Sequence, residues 1–150
     1  MAKQTQKFIM STFMQLLEGE SLDKITVRDI VEECEINRNT FYYHYSDIYD
    51  LLDDVFRVET EKFMSEDVDE NTTFGEEYER AACFVLKYKK AILHIYDSKK
   101  RDVLQNYLET LAFSFISRFV KKEADGYGLP DEDIDYILSL IHISEPTRRT

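Results

Sequence analysis

The run Ile36-Asn37-Arg38-Asn39-Thr40-Phe41-Tyr42-Tyr43-His44-Tyr45 holds the side chains best suited to chemistry in this chain of 150 residues. That chemistry is recognition rather than catalysis. An Arg can hold a guanine edge through two hydrogen bonds, and an Asn can do the same for adenine. Thr and Tyr hydroxyls, with the backbone N–H groups of a helix start, donate to phosphate oxygens. Arg38, Asn39, Thr40, Tyr42, Tyr43 and His44 supply such a set, and Arg28 upstream adds a second guanidinium. Tyr42, Tyr43 and His44 are consecutive, so a helix cannot bury all three. Phe41 and Tyr45, one turn apart, are better spent in a core. An ordinary aromatic core is the competing reading of the whole cluster.

Such a set needs a short helix held at an angle to another. Asn37 is a good N-cap for it, and Ile36 can plug the angle with the helix before. That preceding helix opens at Thr26, where Thr26-Val27-Arg28-Asp29 has the capping-box pattern. Val27, Ile30, Val31 and Cys34 then recur at helical spacing, and the helix ends near Glu35. A first helix over 4–18 carries Ile9, Phe13, Leu16 and Leu17 on one stripe and stops at Gly19-Glu20-Ser21. Leu22 and Ile25 plug the core in the connection. A fourth helix starts at Ser46 or Asp47, with Asp47 and Asp50 in the first turn, where the helix dipole favours negative charge. Ile48, Leu51, Leu52, Val55 and Phe56 form its apolar side, and it runs to about Met64. Two short helices joined by a tight turn, the second exposing polar and aromatic groups, are a helix-turn-helix arrangement.

Beyond it, residues 65–73 read as an acidic linker, and helical pattern returns over 74–88, 89–96 and 102–123. Ala124 to Pro130 is a break. A last helix opens at Pro130 with Asp131, Glu132 and Asp133, and carries Ile134, Ile137, Leu138 and Ile141 on one side. With two Pro, four Gly and little β-branched alternation, the chain is predicted to be all-α. The expected plan is a three-helix headpiece over 1–58, joined through a fourth helix to a helical body over 59–140.

The net charge of −11 argues against a simple electrostatic attraction to nucleic acid. Even residues 1–58 hold six basic residues (Lys3, Lys7, Lys24, Arg28, Arg38 and Arg57) against eleven acidic ones. Attraction to phosphate acts locally, however, over about a Debye length of ~8 Å. A few well-placed contacts over weak non-specific affinity are therefore expected. No apolar run approaches the ~20 residues of a membrane span, and no apolar segment follows MAKQTQKF as in a signal peptide. A cytoplasmic protein is expected. Cys34 and Cys83 show no metal or redox spacing and are expected to be reduced and mostly buried. His44, His94 and His142 are scattered, and His94 is expected to be a satisfied packing residue. There is no Gly-rich phosphate loop, no GxSxG and no metal-ligand spacing, so neither an enzyme nor a cofactor site is expected.

The stretches Ile25–Val31 and Ile36–Tyr45, followed by Asp50-Leu51-Leu52, resemble the TetR-family signature of transcriptional regulators: T-v-x-x-I-a, then v-s-x-g-T-x-Y-x-H-F, then a fourth helix with paired Leu. The resemblance covers residues 1 to about 60. It implies that Thr40 and Tyr42 contact phosphate or base, that Arg28 and Arg38 read bases, and that His44 touches the backbone. With Thr26, Asn39 and Tyr43 these make up the expected DNA-binding set. Two residues depart from the pattern: Asn39 replaces a small residue, and Ile48 stands where a Lys usually makes a phosphate contact. Both lower the expected affinity.

The resemblance also implies an effector cavity in the body and a homodimer formed through late C-terminal helices. Phe84, Tyr88, Tyr96, Tyr107 and Phe113 are candidates to line an effector site between the 74–96 and 102–122 segments. Plain helix packing is the alternative for each. The ending from Ser139 abandons the helical pattern and reads as translated sequencing adapter, which makes 141–150 a non-native tail and leaves the body incomplete from about residue 139. A natural basic tail is the alternative. The expected function is a ligand-responsive repressor that binds a two-fold symmetric double-stranded operator. A helical sensor or protein-interaction module without DNA binding is the second reading, favoured by the acidic headpiece.

Overall fold

A computed structural model describes residues 1–65, 69 and 71–143, the last two by backbone alone. The described residues form eight α-helices and no strand. In order they are α1 (Ala2–Gly19), α2 (Val27–Glu33), α3 (Arg38–His44), α4 (Ile48–Ser65), α5 (Phe74–Lys87), α6 (Lys89–Tyr96), α7 (Arg101–Tyr127) and α8 (Asp131–Ile143), with a 3-10 turn at Leu22–Lys24. All-α is therefore the fold class. The chain divides into two compact units, Met1–Gln105 and Asn106–Thr150.

The core of the first unit follows the apolar spacing of its helices. Ile9, Phe13 and Leu17 of α1 are fully buried, as are Ile30, Phe41, Leu51 and Leu52. Burying each such side chain contributes about 1.5–3 kcal/mol. Leu22 and Ile25 fill the corner between α1 and α2, as expected.

The starts of α2, α3 and α4 each carry a side-chain cap. The Thr26 hydroxyl accepts from the Asp29 N–H at 3.2 Å, and the Asp29 carboxylate accepts from the Thr26 N–H at 2.8 Å, closing the capping box of α2. Asn37 Oδ1 accepts from the Asn39 N–H at 2.6 Å to start α3. Asp47 Oδ1 accepts from the N–H groups of Tyr49 and Asp50, both at 2.8 Å, at the start of α4. Between α2 and α3 the chain turns at Glu35, whose φ of 52° is left-handed. That conformation is strained for any residue with a Cβ. The Ile36 N–H then donates to the Val31 carbonyl at 3.0 Å and locks the turn.

α1 packs most extensively on α6. The Nδ1 of His94 lies 2.5 Å from the carbonyl oxygen of Leu17, a group that can only accept, so Nδ1 carries the proton. This satisfies one of the carbonyls left open at the end of α1. The Ser21 hydroxyl donates back to the His94 carbonyl at 3.4 Å, and the Lys99 N–H donates to Asp23 Oδ2 at 3.0 Å. His94 is thus a satisfied packing residue with a specific job.

Of the expected linker, residues 66–68 and 70 lie outside the described residues; Thr73 closes a capping box with Glu76 at the start of α5. Cys34 is buried, but Cys83 is exposed, contrary to expectation. It shares a face of α5 with Glu79 and Lys87, one turn to either side, both exposed.

In the second unit Ala124, Ile134 and Leu138 form a buried cluster, with Phe113, Val120 and Ile141 packed against it. α7 does not break at Ala124; it continues to Tyr127. Gly128, with φ 63°, ends it, and the Leu129 N–H reaches back to the Ala124 carbonyl at 3.3 Å. This is the six-to-one bond of a Schellman ending. α8 carries on past residue 139 to Ile143, because Ser139-Leu140-Ile141-His142-Ile143 holds no Gly or Pro to stop it. Residues 144–150, most of the expected non-native tail, lie outside the described residues.

Candidate nucleic-acid interface

α3 is pinned from beneath and bare above. Phe41 is fully buried and Tyr45 nearly so, whereas Tyr42 is 50% and Tyr43 79% exposed. The Phe41 and Tyr42 rings meet edge-on at 5.5 Å, and Tyr43 and His44 do so at 5.1 Å, which restrains the exposed rings. Arg38 and Asn39 are exposed at the start of the helix, while Thr40 and His44 are half-buried at its flanks. Among the described residues Arg38 has no ion-pair partner, so its five donors face solvent.

Two members of the predicted set are otherwise engaged. The Thr26 hydroxyl belongs to the cap of α2 and also donates to Asp29 Oδ2 at 2.6 Å. Those bonds, from the hydroxyl and then from the backbone, hold the Asp29 carboxyl below its usual value. Arg28 donates from Nε to Glu32 Oε1 at 2.6 Å, one turn along α2. Both partners are largely exposed, so the pair contributes little to stability. It does place a carboxylate beside one of the exposed cations of this surface.

The end of α3 is held by a knot absent from the predicted set. The Tyr45 hydroxyl donates to Asp54 Oδ2 at 2.7 Å, and Gln6 of α1 donates to the same oxygen at 2.9 Å. Arg57 donates to the other oxygen, Oδ1. Burial and the bond to Asp54 push the Tyr45 hydroxyl well above its ordinary value. A buried Tyr hydroxyl needs a partner, which is the signal that could have pointed here; which carboxylate would answer it is not visible along the chain.

The aromatic candidates of the body fall in both units. Phe84 lies between Phe63 and Tyr88, with ring centroids at 5.2 and 5.1 Å. Tyr88 donates to Glu59 Oε2 at 2.6 Å, and burial together with Glu59 pushes its hydroxyl up to about 12. Its ring lines a cleft of about 540 Å³ between α1 and α4. Tyr96 is exposed, with the Arg101 guanidinium 4.2 Å above its ring. In the second unit Tyr107 is half-buried, and Phe113 packs on the Ala124–Ile134–Leu138 cluster. Phe84 and Tyr88 are therefore together, whereas Phe113 belongs to a helix-packing core of its own.

A short helix anchored by two buried aromatics, presented across a tight turn from a capped partner helix, defines a helix-turn-helix DNA-binding protein. Residues 9–55 match the family described as "Bacterial regulatory proteins, tetR family", and residues 72–144 match "Transcriptional regulator C-terminal region". The chain belongs to the TetR family of transcriptional regulators, and is a DNA-binding transcription factor rather than an enzyme. A solved structure, "Dihydroxyacetone kinase operon activator DhaS", is similar with a TM-score of 0.63, over 89% of this chain and 75% of that one. At 18% identity this is a likeness of fold. No curated protein sequence matches the chain.

The second match corrects the expectation of a truncated body. It runs to residue 144, and α8 to Ile143, so the family pattern does not break off near residue 139. Ile141, placed by the sequence at the head of a foreign tail, packs on the core of the second unit. Among the described residues no helix is long and apolar enough to cross a membrane.

Proposed function

We propose that this regulator is a ligand-responsive, cytoplasmic repressor that binds a two-fold symmetric operator as a homodimer, with α3 in the major groove. The observation that carries the reading is the two-sidedness of α3: Phe41 and Tyr45 are buried while Arg38, Asn39, Tyr42 and Tyr43 stand in solvent. Arg38 and Asn39 are the base readers, and Thr40, Tyr42, Tyr43 and His44 position the helix on phosphates. Arg28 joins them after exchanging Glu32 for DNA. Thr26 acts mainly by fixing the start of α2. Residues 1–58 form the reading headpiece, and the remaining helices serve effector binding and pairing.

Pairing is supported by α8, which exposes Tyr136, Ile137 and Leu140. Helix-turn-helix dimers place two reading helices about 34–36 Å apart, one helical turn of DNA. Phe84 and Tyr88 are the effector-side residues best supported by placement. An activator is the second reading, favoured by the name of the structurally similar protein, an operon activator.

Selection of bound duplexes from a random pool at low salt, with Arg38→Ala alongside, tests the proposal. A two-fold symmetric motif lost in the variant is expected. A motif that survives Arg38→Ala, or no enrichment at all, would remove α3 as the reader. A reporter placed behind the selected sequence separates repression from activation.

A further inference from the structure

The cleft between α1 and α4 measures about 540 Å³, within the range of cavities that hold small molecules. It lies wholly in the first unit and shares no residue with the reading set. Its apolar lining is Met10, Met14, Val55, Val58 and the ring of Tyr88. Met10, Met14 and Val58 are only half-buried, and two unbranched thioethers make a surface that adapts to a guest.

The charges around this lining are unevenly committed. Glu59 is satisfied on both oxygens, by the Tyr88 hydroxyl at 2.6 Å and the Lys62 ammonium at 3.1 Å, so that wall is neutral overall. Lys7 and Glu18 also line the cleft, and among the described residues neither has an ion-pair partner. They stand about 16 Å apart along α1 at 1.5 Å per residue. Lys3, one turn before Lys7, makes that end more positive.

We infer that the cleft binds a monoanionic amphiphile: an apolar body against Met10, Met14 and Val58, and one carboxylate on Lys7. Glu18 at the far end repels a second carboxylate, which excludes dianions of matching length. Gln6, next to Lys7, and Tyr45 both donate to Asp54, next to Val55. A guest that spreads α1 from α4 therefore strains the bond holding the end of α3. Only this last effect rests on the ligand-responsive reading of the function; binding itself is measured without DNA.

The test is titration of the full chain, labelled at its Met methyl groups, with sodium decanoate, followed by NMR. Methyl resonances of Met10 and Met14 move while that of Met64 stays. Decanedioate, and decanoate on Lys7→Gln, bind about tenfold more weakly, as expected for one lost or opposed charge contact. Val58→Trp fills the cleft and removes the shifts; Lys7→Gln, at an exposed site, keeps the test valid should Val58→Trp not fold. Met10 and Met14 resonances that stay fixed at millimolar decanoate, or that move equally in the variants, overturn the inference. Saturable decanoate binding with unchanged operator affinity upholds the site and overturns its link to α3. Decanoate binding in a chain that selects no DNA upholds the site while the proposed function fails.

Discussion

The Tyr45 hydroxyl and the Asp54 carboxylate lie 2.7 Å apart, joining the residue that ends α3 to the middle of α4. Because Gln6 of α1 donates to the same oxygen, three helices meet on one carboxylate that is only partly exposed. The angle at which α3 leaves the headpiece is thereby fixed by a polar bond as well as by the buried rings of Phe41 and Tyr45. Hydrogen bonds to a charged group are worth about 1.5–3 kcal/mol, against roughly 1 for neutral ones. Tyr45→Phe should therefore destabilise the chain by about 1.5 kcal/mol, a loss of several degrees in Tm. It should also weaken operator binding more than a comparably destabilising change at the cap of α5, Thr73→Ala. Equal operator affinity at a temperature where both variants are folded would show that the bond does not set the angle.

Asp54 also gives the stability of the first unit a pH dependence. Burial alone would raise its carboxyl, but the bonds from Tyr45, Arg57 and Gln6 outweigh that and hold it below the ordinary value of 3.8. A lowered folded-state value means stability that is present in full above the ordinary value and is lost as pH falls through the folded one. Asp54→Asn should thus be less stable than the parent at neutral pH, with the gap narrowing below about pH 4. Urea unfolding at neutral and acid pH measures the gap directly; a constant gap would mean that the charge on Asp54 is not the source.

Arg38 and Glu32 should act in opposite directions on DNA. Removing the unpaired guanidinium in Arg38→Ala should cost about 1–3 kcal/mol of operator binding. Thermal stability should stay within about 0.5 kcal/mol, as for other exposed sites. Glu32→Gln frees Arg28 and takes a carboxylate off the same face, so affinity should rise several-fold, most visibly at low salt. Fluorescence anisotropy across a salt series resolves both, and an Arg38→Ala chain with full affinity would contradict the assignment.

Thr26 serves the fold before it serves DNA. Thr26→Ala should destabilise by about 1 kcal/mol through the lost cap, and Thr26→Ser should restore most of it. Thr73→Ala, which opens the matching capping box of α5, should cost as much while leaving the headpiece intact. If Thr26→Ser were as unstable as Thr26→Ala, the hydroxyl would not be the stabilising group.

His94→Ala should leave the Leu17 carbonyl without its donor and lower stability by about 1–3 kcal/mol. Calorimetry reports the loss, and hydrogen exchange should place it in the last turn of α1. Uniform acceleration of exchange across the chain would argue against a local capping role.

The parts legible along the chain are those with local causes. Thr26 with Asp29, and Asn37 with the N–H two residues on, are caps written within one turn of sequence, and the structure places both as read. Phe41 and Tyr45 turn inward because they sit one turn apart. The knot at Asp54 is illegible along the chain because Gln6 is 48 residues away, and Asp47, Asp50 and Asp53 lie close to Asp54 in sequence as well. The end of α7 was misplaced for a related reason. Gly126 and Gly128 look alike in sequence, but only Gly128 takes the left-handed φ, once Ala124 is fixed in the cluster with Ile134 and Leu138. The break expected near residue 139 does not occur because α8 keeps winding to Ile143 through residues whose apolar pattern weakens.

The clamp of Glu32 on Arg28 has a consequence for how the regulator finds its site. Attachment to random sequence depends almost wholly on cations meeting phosphates. Here one such cation is held by a neighbouring carboxylate, with Glu33 and Glu35 exposed close by. Attachment of this chain to random sequence is therefore expected to be brief, with short landings rather than long slides. On the proposed reading, little of the protein would be held on non-specific sequence, and occupancy of a specific site would follow its concentration almost undamped.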